Sequence, residues 1–253
     1  WKYLSIMVGL IDYTSSSKIS IPIHLNQHWT TNYNISHSNK RKIVMKFDDE
    51  FKKAIANLPP KEKDKLILRL LKKDYILANR LYFELVSTDN VQDRRLIMET
   101  KIKKDLARAT KVYRSPMSLV SDIRSLSAEI TEHVKITKDK YGEASLNLLM
   151  LNEALNKNNA KLNKSAPNKA HRFNIYVVAR AFKILTLIKV LHEDFHIEFE
   201  DGLKELSDNF GDNHYLMKTA IYNGFDPNWL FHAQIPDDIV ETLKEIRSQG
   251  FLK

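Results

Sequence analysis

The fold is decided by residues 169–193, KAHRFNIYVVARAFKILTLIKVLHE, which contain the longest apolar stretch of the chain. Apolar side chains occur almost all round a helix drawn through these residues, which is typical of a helix packed on every side. Arg180, Lys183 and Lys189 interrupt the stretch. Because a membrane span needs about 20 mostly apolar residues, we predict a buried central helix and no membrane partner.

Breaker and capping residues divide the rest of the chain into further helices. The patterns predict helices over residues 61–73, 91–113, 118–138, 143–158, 212–222 and 237–249, and a third early helix capped by Asp74. Leu66, Ile67, Leu70 and Leu71 are expected to face inward, and Gly142 is expected to end the helix over 118–138. Only six glycines and seven prolines occur, which argues against a many-turned β fold. We predict an all-α fold of antiparallel helix pairs around the central helix, as a bundle or a short solenoid.

The composition changes near Met45. Residues 1–44 are rich in polar residues and show no helical apolar period, whereas Met45 starts a sequence that resembles a natural N-terminus entering a helix. We predict a leader over 1–44, either upstream read-through or a disordered arm, and one all-α domain over 45–253. The chain has no cysteine, which excludes disulfides and cysteine-ligated metals and fits a cytoplasmic location.

The formal net charge is +9, and the leader carries +4 of it. The predicted domain is therefore only mildly basic, so charge alone does not indicate a nucleic-acid partner.

His192, Glu193 and His196 match the HExxH pattern of zinc hydrolases. In that pattern two histidines four residues apart on one helix hold Zn²⁺, and the glutamate activates the bound water. Asp194 introduces a charge within the pattern, and the alternating run after it indicates that the helix ends here. A solvated helix end is therefore the favoured interpretation, and the zinc site is the alternative.

Glu129, Glu132, Glu153 and Asn156 resemble the E-x-x-E and E-x-x-D pairs of all-α nucleoside triphosphate pyrophosphatases, which include dimeric deoxyuridine triphosphatases. The resemblance implies a Mg²⁺ site between two helices. Asn156 stands where the pattern has an aspartate, which removes a charge that the metal needs. Glu132 is also expected about 160° from the apolar stripe of its helix, so a charged surface is the favoured interpretation.

A basic ridge is predicted on the helix over 91–113. Its apolar stripe is Val91, Met98, Ile102, Leu106, Ala109 and Tyr113. On another face recur the cations Arg94, Lys101, Lys104, Arg108 and Lys111. Such a row can bind phosphates or an acidic protein, although nearby acids and the lack of an aromatic platform also fit an ordinary solvated face.

Two segments, residues 58–74 (LPPKEKDKLILRLLKKD) and 132–153 (EHVKITKDKYGEASLNLLMLNE), resemble an uncharacterised all-helical bacterial family. The resemblance extends from Met45 to the end of the chain. Some members of that family carry a deoxyuridine triphosphate nucleotidohydrolase label. The resemblance implies the all-α fold and the start near Met45, and it leaves the function open.

These observations favour an interaction or adaptor protein without catalysis of its own and without a cofactor. Its expected partner is a protein or a nucleic-acid backbone, bound by the basic ridge, and its oligomeric state is open. The alternative is a metal-dependent hydrolase that uses either the HExxH residues or the carboxylate pairs.

Overall fold

The computed structural model describes residues 46–253, and within them the chain forms helices and turns and no β-strand. The all-α prediction is therefore confirmed. Internal contacts divide the chain into two units, residues 1–67 and residues 68–253. The predicted leader over 1–44 and its boundary at Met45 lie outside the described residues.

The first unit contains helix α1 (Asp49–Ala56) and the beginning of helix α2 (Pro60–Leu71). The Asp48 carboxylate caps α1 by accepting a 2.7 Å hydrogen bond from the Phe51 N–H. Pro60 occupies the first turn of α2, where its missing N–H has no cost. The prediction that Ile67 and Leu70 face inward is wrong, since their exposed fractions are 49% and 53%.

The second unit contains all the remaining helices. They are α3 (Tyr75–Leu85), α4 (Val91–Lys111), α5 (Pro116–Thr137), α6 (Lys140–Asn163), α7 (Pro167–Lys189), a 3₁₀ helix (Glu193–Phe199), α8 (Glu200–Gly211), α9 (His214–Tyr222), α10 (Asn228–Phe231) and α11 (Ile239–Ser248). Asp74 caps α3, as predicted, by accepting a bond from the Leu77 N–H.

Helices α4 to α7 form an up-and-down bundle, in which short connections make successive helices antiparallel neighbours. Helices α4 and α6 therefore run in parallel. Arg95 contacts Asp139 near the beginnings of these two helices, and Thr110 contacts Asn158 near their ends. Helix α8 also runs parallel to α6, since successive asparagines of α6 bond to successive residues of α8, and α9 and α11 pack on α7. These directions decide which loops share an end of the bundle.

The core is apolar and continuous through the bundle. The predicted central helix α7 buries residues along its whole length, and Phe173, Phe182, Ile184 and Ile188 have no exposed surface. The predicted apolar stripe of α4 is confirmed, because its members from Met98 to Ala109 are buried. Such close packing fixes the positions of the helix ends.

Two predicted boundaries are wrong. Helix α5 ends at Thr137, and Gly142 lies inside the first turn of α6, where its N–H donates to the Asp139 cap at 2.8 Å. Helix α6 continues to Asn163 because its asparagines bond to α8 and override their poor helix propensity. Asn159, for example, donates to the backbone oxygen of Asn209 at 2.9 Å. Helix α8 itself was not predicted.

In the described part of the chain, no helix combines the length and the apolar character that crossing a bilayer requires.

Candidate functional site

The HExxH residues do not lie on one α-helix. Helix α7 ends at Lys189, and His192 caps the following 3₁₀ helix by accepting a bond from the Asp194 N–H. Because a 3₁₀ helix has three residues per turn, positions four apart differ by about 120° rather than the 40° of an α-helix. The two histidines of the pattern, His192 and His196, therefore point in different directions. Glu193 is exposed and makes no ion pair within residues 46–253.

The four residues of the carboxylate pattern are engaged separately. Glu129 forms an ion pair with Lys101 at 2.7 Å, and Glu132 accepts a hydrogen bond from the Tyr75 hydroxyl. On α6, the Glu153 carboxylate pairs with Lys157 one turn along the same helix. Asn156 donates to the Glu205 carboxylate of α8 at 2.6 Å. Each side chain therefore has its own partner, and the four do not converge.

Residues 46–253 contain no group of three His, Asp or Glu side chains placed to hold one metal ion. The fold therefore brings together neither the HExxH residues nor the residues of the carboxylate pattern.

The basic ridge of α4 is partly neutralised by ion pairs. Arg94 contacts Asp89 at 2.9 Å, Lys101 contacts both Asp105 and Glu129 at 2.7 Å, and Arg108 contacts Asp105 at 3.1 Å. The hydrogen bond from Lys101 holds the pKa of Asp105 below its ordinary value. These three cations are therefore used within the fold.

The remaining two members of the ridge, Lys104 and Lys111, are exposed and make no ion pair among the described residues. Lys111 is the last residue of α4. Since α4 and α6 run in parallel, it lies at the end of the bundle where α6 also ends and α7 begins.

This end of the bundle collects cations from three helices. We call it the basic end, and its members are Lys111, Arg114, Lys161, Lys164, Lys169 and Arg172. All six are exposed, and none has a carboxylate partner within residues 46–253. The ammonium of Lys161 donates to the Thr110 backbone oxygen at 2.6 Å and lies 5.2 Å from the centre of the Tyr113 ring. These contacts join the ends of α4 and α6.

The sequence contains a signal for the basic end that the ridge pattern missed. Residues 106–121 contain three cations and residues 154–192 contain eight, and neither stretch contains an aspartate or a glutamate. The mild net charge of the chain conceals this separation, because the acids lie elsewhere. Asp212 is brought near by a 2.7 Å bond from Asn163 to its backbone oxygen.

The opposite end of the bundle contains a cluster of ionic and hydrogen-bonded side chains around the buried carboxylate of Asp139. Arg95 donates two hydrogen bonds to Asp139, at 2.7 and 2.8 Å, and its guanidinium lies 4.5 Å from the centre of the Tyr141 ring. The Tyr141 hydroxyl in turn donates to Glu198 at 2.8 Å. We call Arg95, Asp139, Tyr141 and Glu198 the paired cluster.

Burial raises the pKa of Asp139, but its polar neighbours His133, Arg95 and the Gly142 N–H outweigh burial and bring the pKa well below the usual range. The His133 ring nitrogen lies 3.6 Å from the carboxylate, beyond hydrogen-bond distance, so the bidentate Arg95 contact is the stronger one. Burial and the bond to Glu198 raise the pKa of Tyr141 to about 12. Within the paired cluster, Arg95 and Asp139 therefore form an ion pair that serves the fold, and Tyr141 remains a neutral donor to Glu198.

No protein-family model, curated protein or solved structure matches the chain.

Proposed function

We propose that this protein is a non-catalytic nucleic-acid-binding protein that holds a phosphate backbone on its basic end. The observation that carries the proposal is the position of Lys169 and Arg172 in the first turns of α7. The helix macrodipole makes the first-turn position of Lys169 unfavourable for a cation, and neither Lys169 nor Arg172 has an acidic partner within residues 46–253. These two charges do not stabilise the fold, but they would stabilise a bound phosphate.

The beginning of α7 adds a second feature that suits an anion. Its N-cap is Ala166, which makes no side-chain capping bond, so the positive end of this 23-residue helix is open. Pro167 has no N–H and the Lys169 N–H donates to the Ala166 carbonyl oxygen at 2.9 Å, so the Asn168 N–H and the helix dipole are what this end offers to an anion. The flanking cations strengthen this preference.

The spread of the cations favours a chain of phosphates over a single anion. They come from the end of α4, the end of α6 and the start of α7, and the exposed ridge residue Lys104 extends the row along α4. Successive phosphates of a nucleic acid can be met by such a row without reading base sequence. We therefore expect affinity that depends strongly on salt and little on sequence.

The test is a fluorescence-anisotropy titration of the full chain with single-stranded RNA, single-stranded DNA and duplex DNA across a salt series. With about six phosphates neutralised, log K should fall against log salt with a slope of roughly −4 for a single strand. The variant Lys164→Glu/Lys169→Glu/Arg172→Glu should lose most of the binding and flatten the slope by about 2.

The matched control is Lys73→Glu/Lys135→Glu/Lys140→Glu. It changes the net charge by the same amount at exposed lysines that make no ion pair among residues 46–253 and do not belong to the basic end. The control should bind as the parent does. Equal losses in the two variants would show that overall charge, not the basic end, is responsible, and absence of binding at low salt would overturn the proposal altogether.

A further inference from the structure

A groove lies between the first half of α7 and α9, next to Lys169 and Arg172. Its volume is about 310 Å³, near the lower limit for small-molecule sites. Its lining is mostly aromatic and basic. The lining residues are Pro167, His171, Asn174, Tyr215, Lys218, Thr219 and Tyr222. We call this the α7–α9 groove.

Asn174 distinguishes this groove from an ordinary surface depression. Its side chain lines the groove, its exposed fraction is 2%, and its carbonyl oxygen is buried without a hydrogen-bond partner. Buried polar groups are nearly always hydrogen-bonded, so an exception calls for an explanation such as a ligand.

Other buried asparagines of the molecule are at least half satisfied. Asn147, Asn152 and Asn158 also have an unpartnered oxygen, yet each donates its amide to a backbone oxygen, as Asn152 does to Gly202 at 2.8 Å. Asn174 makes no such bond within the described residues. The oxygen and the nitrogen of its amide therefore both lack a protein partner, and the residue lines the groove with only 2% of its surface exposed.

The other lining side chains indicate what kind of ligand fits. Tyr215 and Tyr222 have exposed fractions of 38% and 74% and provide aromatic faces. The Tyr222 ring is steadied by an edge contact with Phe251, with 5.8 Å between the ring centres. Lys218 and His171 lie beside these rings and make no ion pair within residues 46–253.

An asparagine amide matches the paired donor and acceptor on the edge of a nucleobase, because it offers one acceptor and two donors. Aromatic faces stack on unpaired bases, and a neighbouring lysine suits the attached phosphate. A base inside a duplex cannot reach such a groove, whereas an unstacked base of a single strand can.

We infer that the α7–α9 groove binds one unstacked base of a single-stranded nucleic acid. Asn174 bonds to the base edge, a tyrosine ring stacks on the base, and Lys218 contacts its phosphate. The inference rests on the proposed function, because the base belongs to a strand whose backbone lies on the neighbouring basic end.

The first experiment tests the groove alone, by calorimetric titration of the full chain with adenosine 5′-monophosphate and, separately, with ribose 5-phosphate, which lacks the base. We expect the nucleotide to bind at least tenfold more tightly than the sugar phosphate. Asn174→Leu should weaken nucleotide binding about tenfold or more, and Tyr222→Ala should weaken it to a similar extent.

Two control variants separate binding from folding. Asn147→Leu removes a buried asparagine away from the groove, and Tyr82→Ala removes an exposed tyrosine of α3. Both should bind the nucleotide as the parent does. Because Tyr222 is largely exposed, its variant keeps the test valid even if Asn174→Leu fails to fold. Equal binding of the two ligands, or unchanged binding in both groove variants, would overturn the inference.

The second experiment identifies the source of the base, using anisotropy with a single-stranded oligonucleotide, the same strand with abasic positions, and a duplex. We expect the intact strand to bind about tenfold more tightly than the abasic strand in the parent and equally in Asn174→Leu. If no oligonucleotide binds while the mononucleotide does, the proposed function fails and the groove is a site for free nucleotides. If strands bind with no preference for intact bases, the proposed function of the basic end is retained and the inference about the groove is wrong.

Discussion

The two ends of the helical bundle use charge in opposite ways. At one end, Arg95 is bound by Asp139 and Tyr141 by Glu198, and the side chain of Asp139 has an exposed fraction of only 3%. At the basic end, exposed cations from α4, α6 and α7 have no carboxylate partner within the described residues. The first end therefore pairs Arg95 and Asp139 within the fold, whereas the second leaves its cations without an acidic partner among residues 46–253, and this is the surface that the proposed function uses.

The difference shows why counting charged residues along a helix does not locate a binding surface. Lys101 and Arg108 belong to the same basic ridge as Lys111, but the first two are held by Asp105. What remains after the internal ion pairs have formed is the charge that a partner meets. This unpaired positive charge lies at the helix ends, not along the middle of α4.

The largest expected effect comes from breaking the paired cluster with Asp139→Ala. The change leaves the Arg95 guanidinium partly buried without its partner and removes the cap of α6. Loss of one member of a buried ion pair costs about 3–5 kcal/mol in the free energy of unfolding. Urea denaturation at pH 7 measures it. The control Asp237→Ala removes a surface pair with Lys189 and should change nothing measurable.

The pH dependence of this effect has a defined sign. Because the folded protein lowers the pKa of Asp139, the contribution of this carboxylate to stability is complete above its unfolded pKa of about 3.9 and declines as the pH falls below it. The stability difference between the parent and Asp139→Ala should therefore be constant near neutral pH and shrink as the pH falls below about 4. A difference that stays constant would show that the ion pair contributes little.

A smaller effect is expected from Gly142→Ala. A methyl group at this position would lie 2.0 Å from the Asp139 carboxylate oxygen, so the bridge to Arg95 must shift. We expect a loss of about 1–3 kcal/mol in the free energy of unfolding, typical of overpacking. The matched control is Gly211→Ala, where no atom lies within 4 Å of the new methyl group. It should stabilise the protein by about 0.4–1 kcal/mol, and a loss of stability there would contradict the packing argument.

Sequence reasoning predicted the parts of the fold that depend on local pattern. The apolar period gave α7 and the stripe of α4, and Asp74 was recognised as a cap because capping depends on neighbours in the chain. It placed Gly142 at a helix end, since glycine usually ends helices. In the structure the reason for this glycine is the nearby Asp139 carboxylate, and the bond from Arg95 that fixes this carboxylate comes from a distant helix.

The candidate site could be predicted only in part. Lys111 was assigned to the ridge, but the cations of α6 and α7 join it only because α4 and α6 run in parallel, which no local pattern shows. The acid-free run over 154–192 was present in the sequence and could have indicated the basic end. Asn174 could not have been found, because a buried amide without a partner is recognised only after every neighbour is known.

The smallest expected effect on stability is also the sharpest test of the comparison, and it comes from Lys169→Glu/Arg172→Glu. The substitution at Lys169 places an acid in the first turn of α7, where the helix dipole favours it by about 0.3–1 kcal/mol at the surface, and the substitution at Arg172, one turn further along, adds little. The double variant should therefore be slightly more stable than the parent in urea denaturation while binding single-stranded RNA more weakly in the salt series. Reversing a charge that stabilises the fold lowers the free energy of unfolding, as is expected when the ion pair of the paired cluster is broken. Only a charge kept for a partner gives opposite signs in the two measurements, so a loss of stability in this variant would assign these cations to the fold.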